Sequence, residues 1–386
     1  VSRPAAAPLH GPGFSSYAAD EVSWLLTDLS DVELEAPVEE REEAIQAGTA
    51  HYAESLPVEY QPTEEYLRLF YAALDASADR VARAVGTLTE LILAERPSPA
   101  LVSLARAGTP IGILMRRWAA FAHGHRPPHY TVSIVRGRGI DRTALRYLAE
   151  AHDPRQVVFV DGWTGKGAIC RELRQALAAV SAEEGLCFDP TLAVLADPGS
   201  CTTAYGTRDD FLIPSACLNS TVSGLVSRTV CNDRLIAPEQ FHGAKFYPEL
   251  AAADVSALFL DRISERFPAV AGRVAAEWPE LAAADRRPRW SGWRSAEALC
   301  SRYGLGDVNL LKPGVGETTR VLLRRVPWRV LVRPDAGAEL DHVRRLAAER
   351  GVPVDEVPGL PYMCVGLIRP RDATAPAAAG RPGGTA

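Results

Sequence analysis

Apolar and polar positions change rhythm twice along the 386-residue chain. In the first hundred residues the period is helical. Ala19 to Leu29 predicts a short helix, and Val38 to Gly48 an acidic one whose run Glu39, Glu40, Glu42 and Glu43 reads as a solvated face. Pro57 to Pro62 reads as a loop. Thr63 is then placed to cap a long helix to about Ala94, with Leu67, Phe70, Leu74, Val81, Val85, Leu88 and Leu91 on one face.

From Ala100 short apolar runs alternate with helical stretches. Leu101–Leu104, Tyr130–Val135, Val157–Val160 and Leu192–Leu195 predict strands; Ile111–Phe121, Asp141–Ala151 and Ala168 to about Val180 predict the helices between them. Continuous apolar runs separated by helices of 10–15 residues predict βαβ units and a parallel sheet. Each strand runs into a glycine-containing loop with polar side chains: Arg106, Arg136 with Arg138, Asp161 with Lys166, and Asp197. Residues 197–248 lose clean periodicity, and the stretch Asp209 to Thr221 reads as a loop feeding a helix over Val222–Val230. Asp254 to Phe267 returns to an amphipathic helix. Residues 271–294, with three tryptophans and Pro288, read as a linker. A second α/β pattern follows: helices at Ser295–Tyr303, Thr318–Arg325 and Glu339–Arg350, and strands at Arg329–Val332, Val352–Val354 and Met363–Ile368. Residues 1–13 and 371–386, rich in Ala, Pro and Gly, are expected to lack order.

Composition narrows the class. The length suits two or three domains at roughly 150 residues each, and no apolar run approaches the ~20 residues of a membrane span. Val1 to Pro12 lacks the basic flank and apolar core of a signal peptide. Seven scattered cysteines with no C-x-x-C pair fit reduced thiols in a cytoplasm, with no disulfide framework or zinc site. His123, His125 and His129, beside Pro127 and Pro128, read as loop residues and not metal ligands, so no metal site is expected from side-chain clusters. Charge is uneven: residues 286–371 hold 16 basic against 9 acidic side chains, while the whole chain is at −6. A basic C-terminal segment on an acidic body suits an anionic partner such as RNA. Only three lysines, Lys166, Lys245 and Lys312, stand among 39 arginines, each in a turn-like segment.

Two chemistries can be read from the residues. In VVFVDGWTGKGAI an apolar strand ends in Asp161, and Thr164, Gly165, Lys166 and Gly167 open a helix. Glycine amides at a helix entrance can wrap a phosphate, and open α/β sheets bind ligands at the carboxyl ends of their strands. The spacing is not that of a P-loop, because Gly167 follows Lys166. The second chemistry needs a thiolate beside a base. Cys217, in a polar loop before the expected helix, and His242 in FHGAK form the candidate pair, with Asp209, Asp210 or Asn219 to orient the imidazole. The other cysteines are expected in the core.

The motifs YAADEVSWLL, LPVEYQP, VSLARAGTPIG, HYTVSIVRGRGID, FVDGWTGKGAI, DFLIPSACLNSTVSGLVSRTV and FHGAKFY, between about Gly11 and Phe267, resemble the StiP family. That bacterial group occurs with tellurite- and stress-response genes and carries two labels, predicted phosphoribosyltransferase and cysteine protease. VNLLKPGVGETTRVLLRRVPWRVLV and YMCVGLI, between about Asn309 and Pro370, resemble a Pelota-type RNA-binding domain. The first label implies a type I phosphoribosyltransferase-like parallel sheet over residues 99–270, behind a helical N-terminal region 14–98, with a Pelota-like α/β domain at 295–370. It implies phosphoribosyl pyrophosphate as substrate with Mg²⁺ as its cofactor. Asp161 would hold the ribose, although Gly162 stands where the superfamily has a second acid. Thr164, Gly165, Lys166 and Gly167 would hold the 5′-phosphate; Arg106, Ala107 and Gly108 the pyrophosphate; and Arg136 and Arg138 would close over it. Lys312, Arg320, Arg324, Arg325 and Arg329 are the implied RNA contacts. The expected function is therefore a phosphoribosyltransferase-like enzyme for a nucleoside-type metabolite with an RNA-binding module. A cysteine protease using Cys217 and His242, and a non-catalytic ribose-phosphate sensor that binds RNA, are the alternatives.

Overall fold

The computed structural model describes residues 7–36, 54–59 and 61–368. The chain divides into two compact units between Gly292 and Trp293. The first is built on strand β1 (Ser23–Leu25), helix α1 (Glu64–Glu95), β2 (Ala100–Leu104), α2 (Thr109–His123), β3 (His129–Val132), α3 (Arg142–Ala151), β4 (Val157–Trp163), α4 (Ala168–Glu184), β5 (Leu192–Ala196) and β6 (Ala204–Thr207). Six strands form one sheet in the order β1-β3-β2-β4-β5-β6, every neighbouring pair parallel. Strands β2, β4 and β5 are buried on both faces over their apolar runs, as continuous Val, Leu and Ala stretches require.

Helix α1 begins where expected: the Thr63 hydroxyl accepts the amide of Tyr66. Phe70, Leu74, Val81, Val85, Leu88 and Leu91 are all buried, and each such side chain contributes roughly 1.5–3 kcal/mol. Close approach is part of this packing: a Cβ on Gly206 of β6 would stand 2.2 Å from the Ala84 carbonyl oxygen. Helices α5 (Ser256–Ser264) and α6 (Phe267–Ala283) complete the unit.

Four expectations change. Ala19–Leu29 is not a helix: Trp24, Leu25 and Leu26 are all buried, and Ser23–Leu25 pairs with β3 on one side while Trp24 bridges Leu9 on the other. An apolar run enclosed on every side has no solvent stripe for a helix to present. Leu9 itself falls in the stretch expected to lack order. The expected strand to Val135 stops at Val132 and turns into a hairpin, Ile134–Val135 against Gly139–Ile140. The expected helix over Val222–Val230 is instead a 3₁₀ turn at Ser220–Val222, then a further turn with positive φ at Gly224 and Leu225, with Val226 bridged to Phe246 and Val230 to Gly243. Four of its residues (Ser223, Ser227, Thr229 and Gly224) favour local turns or lower helix propensity. Finally, much of the expected linker is α6, which carries Pro279 within it. The acidic helix expected at Val38–Gly48 lies outside the described residues, as do residues 1–6 and 369–386.

The second unit follows helix α7 (Ser291–Tyr303) with β7 (Leu311–Pro313), α8 (Val315–Arg324), β8 (Pro327–Val332), α9 (Asp341–Glu349), β9 (Val354–Glu356) and β10 (Cys364–Ile368). Its four-stranded sheet runs β7-β10-β8-β9, with β10 antiparallel to both neighbours and β8 parallel to β9. Leu311, Leu331, Tyr362, Val365 and Leu367 form its core. His342 of α9 donates to or accepts from Thr319 of α8 at 3.1 Å, and burial pulls its pKa down to about 4. Among the described residues no helix is long and apolar enough to cross a membrane.

Candidate active site

The loop at the end of β4 is occupied largely by its own structure. Asp161 accepts the Gly162 amide at 2.8 Å. The Thr164 amide donates to Ala196, and its hydroxyl donates to the buried Asp197 at 2.5 Å. Asp197 also accepts the amides of Cys201 and Thr202. Gly167 has φ 81° at the start of α4, and a Cβ there would meet Trp290 at 2.5 Å and the Cys201 sulfur at 2.8 Å. Lys166 is buried. Across the sheet edge, Arg106 pairs with the buried Glu59 at 2.8 Å and donates to the Val226 carbonyl. The Gly108 amide is spent on the Leu104 carbonyl, and the Ser103 hydroxyl donates to the Gly108 carbonyl; Ala107 lies in the same turn. His129 is no loop residue. It begins β3, buried, with its pKa lowered to about 4 by burial, and it hydrogen-bonds Ser103 and the Glu21 carbonyl.

The two alternative catalytic residues sit apart in character. Cys217 is 0% exposed, closing a 3₁₀ turn at Pro214–Ala216. The thiol placed opposite His242 is that of Cys231. The fold produces this juxtaposition from the Val230–Gly243 bridge, whose two N–H···O bonds measure 2.7 and 2.9 Å. In an antiparallel pair the next residues out, Cys231 and His242, face each other on one side. A Cβ on Gly243 would stand 2.2 Å from the Leu29 side chain, which would have to shift to admit it. On its far side the same segment is held by residues 27–29: the Thr27 amide donates to the His242 carbonyl and the Leu29 amide to that of Ala244.

His242 is fixed from behind. Its Nδ1 lies 2.8 Å from the buried Ser133 hydroxyl, which leaves Nε2 to serve the thiol. Its backbone amide donates to Asp141 Oδ2 at 2.6 Å, while Asp141 Oδ1 caps α3 through the Ala144 amide. Ser133 and Asp141 close the hairpin by a backbone bond of 3.0 Å. Arg136 and Arg138 ride on the tip of that hairpin. Arg138 reaches the Cys231 sulfur at 4.0 Å and pairs with Glu54 at 2.5 Å.

These neighbours shift both titrating groups. The hydrogen bond to His242, and then the charges of His242 and Arg138, hold the Cys231 thiol below its usual range against a smaller opposing effect of burial. For His242 burial is the largest influence and acts downward; the bond to Cys231 and the charge of Asp141 together outweigh it and raise the imidazole. A depressed thiol beside an elevated imidazole is the electrostatic condition for a thiolate–imidazolium pair. Among the expected orienting acids, Asp209 pairs instead with Arg80 at 3.0 Å. Cys231, Ser133 and Asp141 were not singled out by sequence reasoning as catalytic. The available signal was two short extended runs, TVC and FHGAK, either side of a polar loop containing Pro238. Among the described residues no group of three or more His, Cys, Asp or Glu side chains could hold a metal ion.

The first unit is thus a parallel α/β sheet with Cys231 and His242 beside it, and the second a small α/β unit. Residues 15–264 match the family described as tellurite-like stress resistance cysteine protease StiP, and residues 290–370 match the PELOTA RNA binding domain. The chain is 34% identical over 371 residues to "Cysteine protease StiP" of Acinetobacter baylyi (strain ATCC 33305 / BD413 / ADP1), covering 92% of this chain and 94% of that protein. No solved structure matches. The chain belongs to the StiP family and carries a Pelota RNA-binding domain. The protease name borne by both the family and the relative overturns the expected phosphoribosyltransferase function. Phosphoribosyl pyrophosphate loses its support as substrate.

Proposed function

We propose that this protein is a cysteine peptidase with Cys231 as nucleophile and His242 as its base, in place of the pairing with Cys217. The observation that carries this is the Cys231–His242 pair, set face to face by the Val230–Gly243 bridge and backed by Ser133 and Asp141. The thiolate would attack the carbonyl carbon of a scissile amide. As the C–N bond breaks, the His242 imidazolium gives its proton to the departing amine, leaving an acyl thioester on Cys231. His242 then takes a proton from water, the oxygen attacks the thioester, and the sulfur leaves as thiolate. Ser133 and Asp141 are positioning residues in this scheme, acting through His242.

Hydrolysis of a fluorescently quenched casein by the full chain tests it. Cys231→Ser is expected to lower turnover by more than about 10³-fold, as loss of a nucleophile does. Cys217→Ser should leave it within about threefold. The opposite ranking would return the role to Cys217.

For the second unit we propose RNA contact through Lys312, Arg320, Arg324 and Arg325, supported by the Pelota match. Arg329 is the weaker member of the expected set, because it pairs with Asp355; Arg320 pairs with Glu317 at 3.2 Å on its own helix. RNA affinity should fall steeply with salt, and Arg324→Ala should reduce the slope by about one. For the sheet, the type I phosphoribosyltransferase-like assignment is a proposal about architecture alone. The parallel order β3-β2-β4-β5-β6 and the glycine loops at its strand ends support it.

A further inference from the structure

Arg138 does more at the Cys231 corner than peptide hydrolysis itself demands. Its backbone position is fixed: the amides of Gly137 and Gly139, on either side of it, donate to the two carboxylate oxygens of Glu172 at 3.0 and 3.1 Å. Its guanidinium lies 4.0 Å from the nucleophilic sulfur through Nη1, while Nη2 donates to Glu54 at 2.5 Å. Glu54 is itself tethered beside the nucleophile, its carbonyl accepting from the Asn232 side chain at 3.2 Å. Asn232 is the residue that follows Cys231. The Arg138 and Glu54 side chains are 29% and 34% exposed, so the pair meets water.

A half-exposed ion pair contributes only about 0–1 kcal/mol, so a competing carboxylate can exchange into it at little cost. A guanidinium offers a second parallel donor pair to a carboxylate, a geometry an ammonium cannot supply. A carbonyl carbon within reach of the sulfur places the adjoining side chain of a bound peptide within a few ångströms of Arg138. We propose that Arg138 is the specificity-determining group of this site, recognising an Asp or Glu side chain of the substrate next to the scissile bond, and that Glu54 takes that place in the free protein. The preferred substrates are acidic peptides, and Glu54 is their intramolecular competitor. This rests on the Cys231–His242 reading of the site.

Alkylation separates the two claims, because iodoacetate and iodoacetamide differ by a carboxylate while both transfer a two-carbon group to sulfur and release iodide. Rates at Cys231 would be measured by mass spectrometry on the full chain, beside a free-thiol peptide. In the wild type the iodoacetate-to-iodoacetamide rate ratio should exceed that of the peptide. Arg138→Gln should cut the ratio at least about fivefold, consistent with loss of a charge-assisted contact; Arg138→Lys should keep part of it, and Glu54→Gln should raise it. The iodoacetamide rate of each variant absorbs any change in thiolate fraction or folding. A ratio unmoved by Arg138→Gln overturns the specificity proposal while leaving the Cys–His pair standing. If neither reagent labels wild-type Cys231 faster than the free peptide, the catalytic reading fails and this inference with it.

Discussion

Two corners of the first unit contain the same ingredients and treat their cysteines in opposite ways. Beneath the β4–α4 loop, Cys201 lies with a hydroxyl, Thr164, and a buried carboxylate, Asp197. At the hairpin, Cys231 lies with His242, whose ring meets a hydroxyl, Ser133, and whose backbone amide meets a buried carboxylate, Asp141. Burial, reinforced by the Asp197 charge, pushes the Cys201 thiol up to about 12, whereas the His242 hydrogen bond leads the lowering at Cys231. Burial also leads the rise at Asp197, although Arg208 pairs with it at 3.6 Å. The lesson is that proximity of thiol and acid is not reactivity. What differs at Cys231 is a partner that hydrogen-bonds the thiol itself and can be cationic.

The sharpest way to break this contrast is to remove the imidazole. His242→Ala should slow iodoacetamide labelling of Cys231 at pH 7 by about 10²-fold or more and abolish casein hydrolysis, since base catalysis contributes about 10²–10⁴-fold. Labelling that survives at the wild-type rate would detach the thiol from the imidazole. Next in size is the pH window. The lowered thiol opens activity below the range of an ordinary cysteine, and the raised imidazole holds its proton to higher pH, so the rate profile should be a bell whose two limbs belong to the coupled pair. In Arg138→Gln the acidic limb should move to higher pH, because one of the charges lowering the thiol is gone.

Asp141→Ala should cost stability as well as rate. It removes the cap of α3, worth about 0.5–2 kcal/mol, and leaves the His242 amide without its acceptor. A urea midpoint unchanged from wild type would show that the carboxylate neither caps α3 nor anchors His242 to any measurable degree. Ser133→Ala should have a milder effect, roughly two- to tenfold on hydrolysis, the loss of one net hydrogen bond at Nδ1. Smallest of all, Asp197→Asn should leave Cys201 unlabelled at pH 7, because burial is the dominant reason its thiol is high. Rapid labelling there would show that the acid alone had been silencing it.

The sequence was most legible where one segment decides its own structure. Thr63 as a cap, the face Phe70–Leu74–Val81–Val85, and the runs that become β2, β4 and β5 need only local spacing, and they fold as expected. Where burial comes from distant chain, spacing misleads. The Trp24 run looks helical because its enclosure by Leu9 and β3 is not visible locally. The site fails in the same way. His242 is legible as chemistry-bearing, but its thiol partner depends on a single bridge between two irregular segments, and the helix expected up to Val230 hides that bridge. In the glycine loop the Thr164 amide already bonds the Ala196 carbonyl, and in the β2–α2 turn the Gly108 amide bonds that of Leu104, acceptors that local spacing does not reveal.

Glu172 ties these two histories together. It stands in the second turn of α4, and its carboxylate grips the hairpin on either side of Arg138. A helix advances about 1.5 Å and turns about 100° per residue, so the point at which α4 begins decides where that carboxylate points. Gly167, at a φ that other residues rarely adopt and wedged against Cys201 and Trp290, sets that starting point. The conspicuous glycine loop thus acts as a datum for an arginine on another strand end. A one-residue slip in it would reach the Cys231 corner as a misaimed charge, with no catalytic side chain altered.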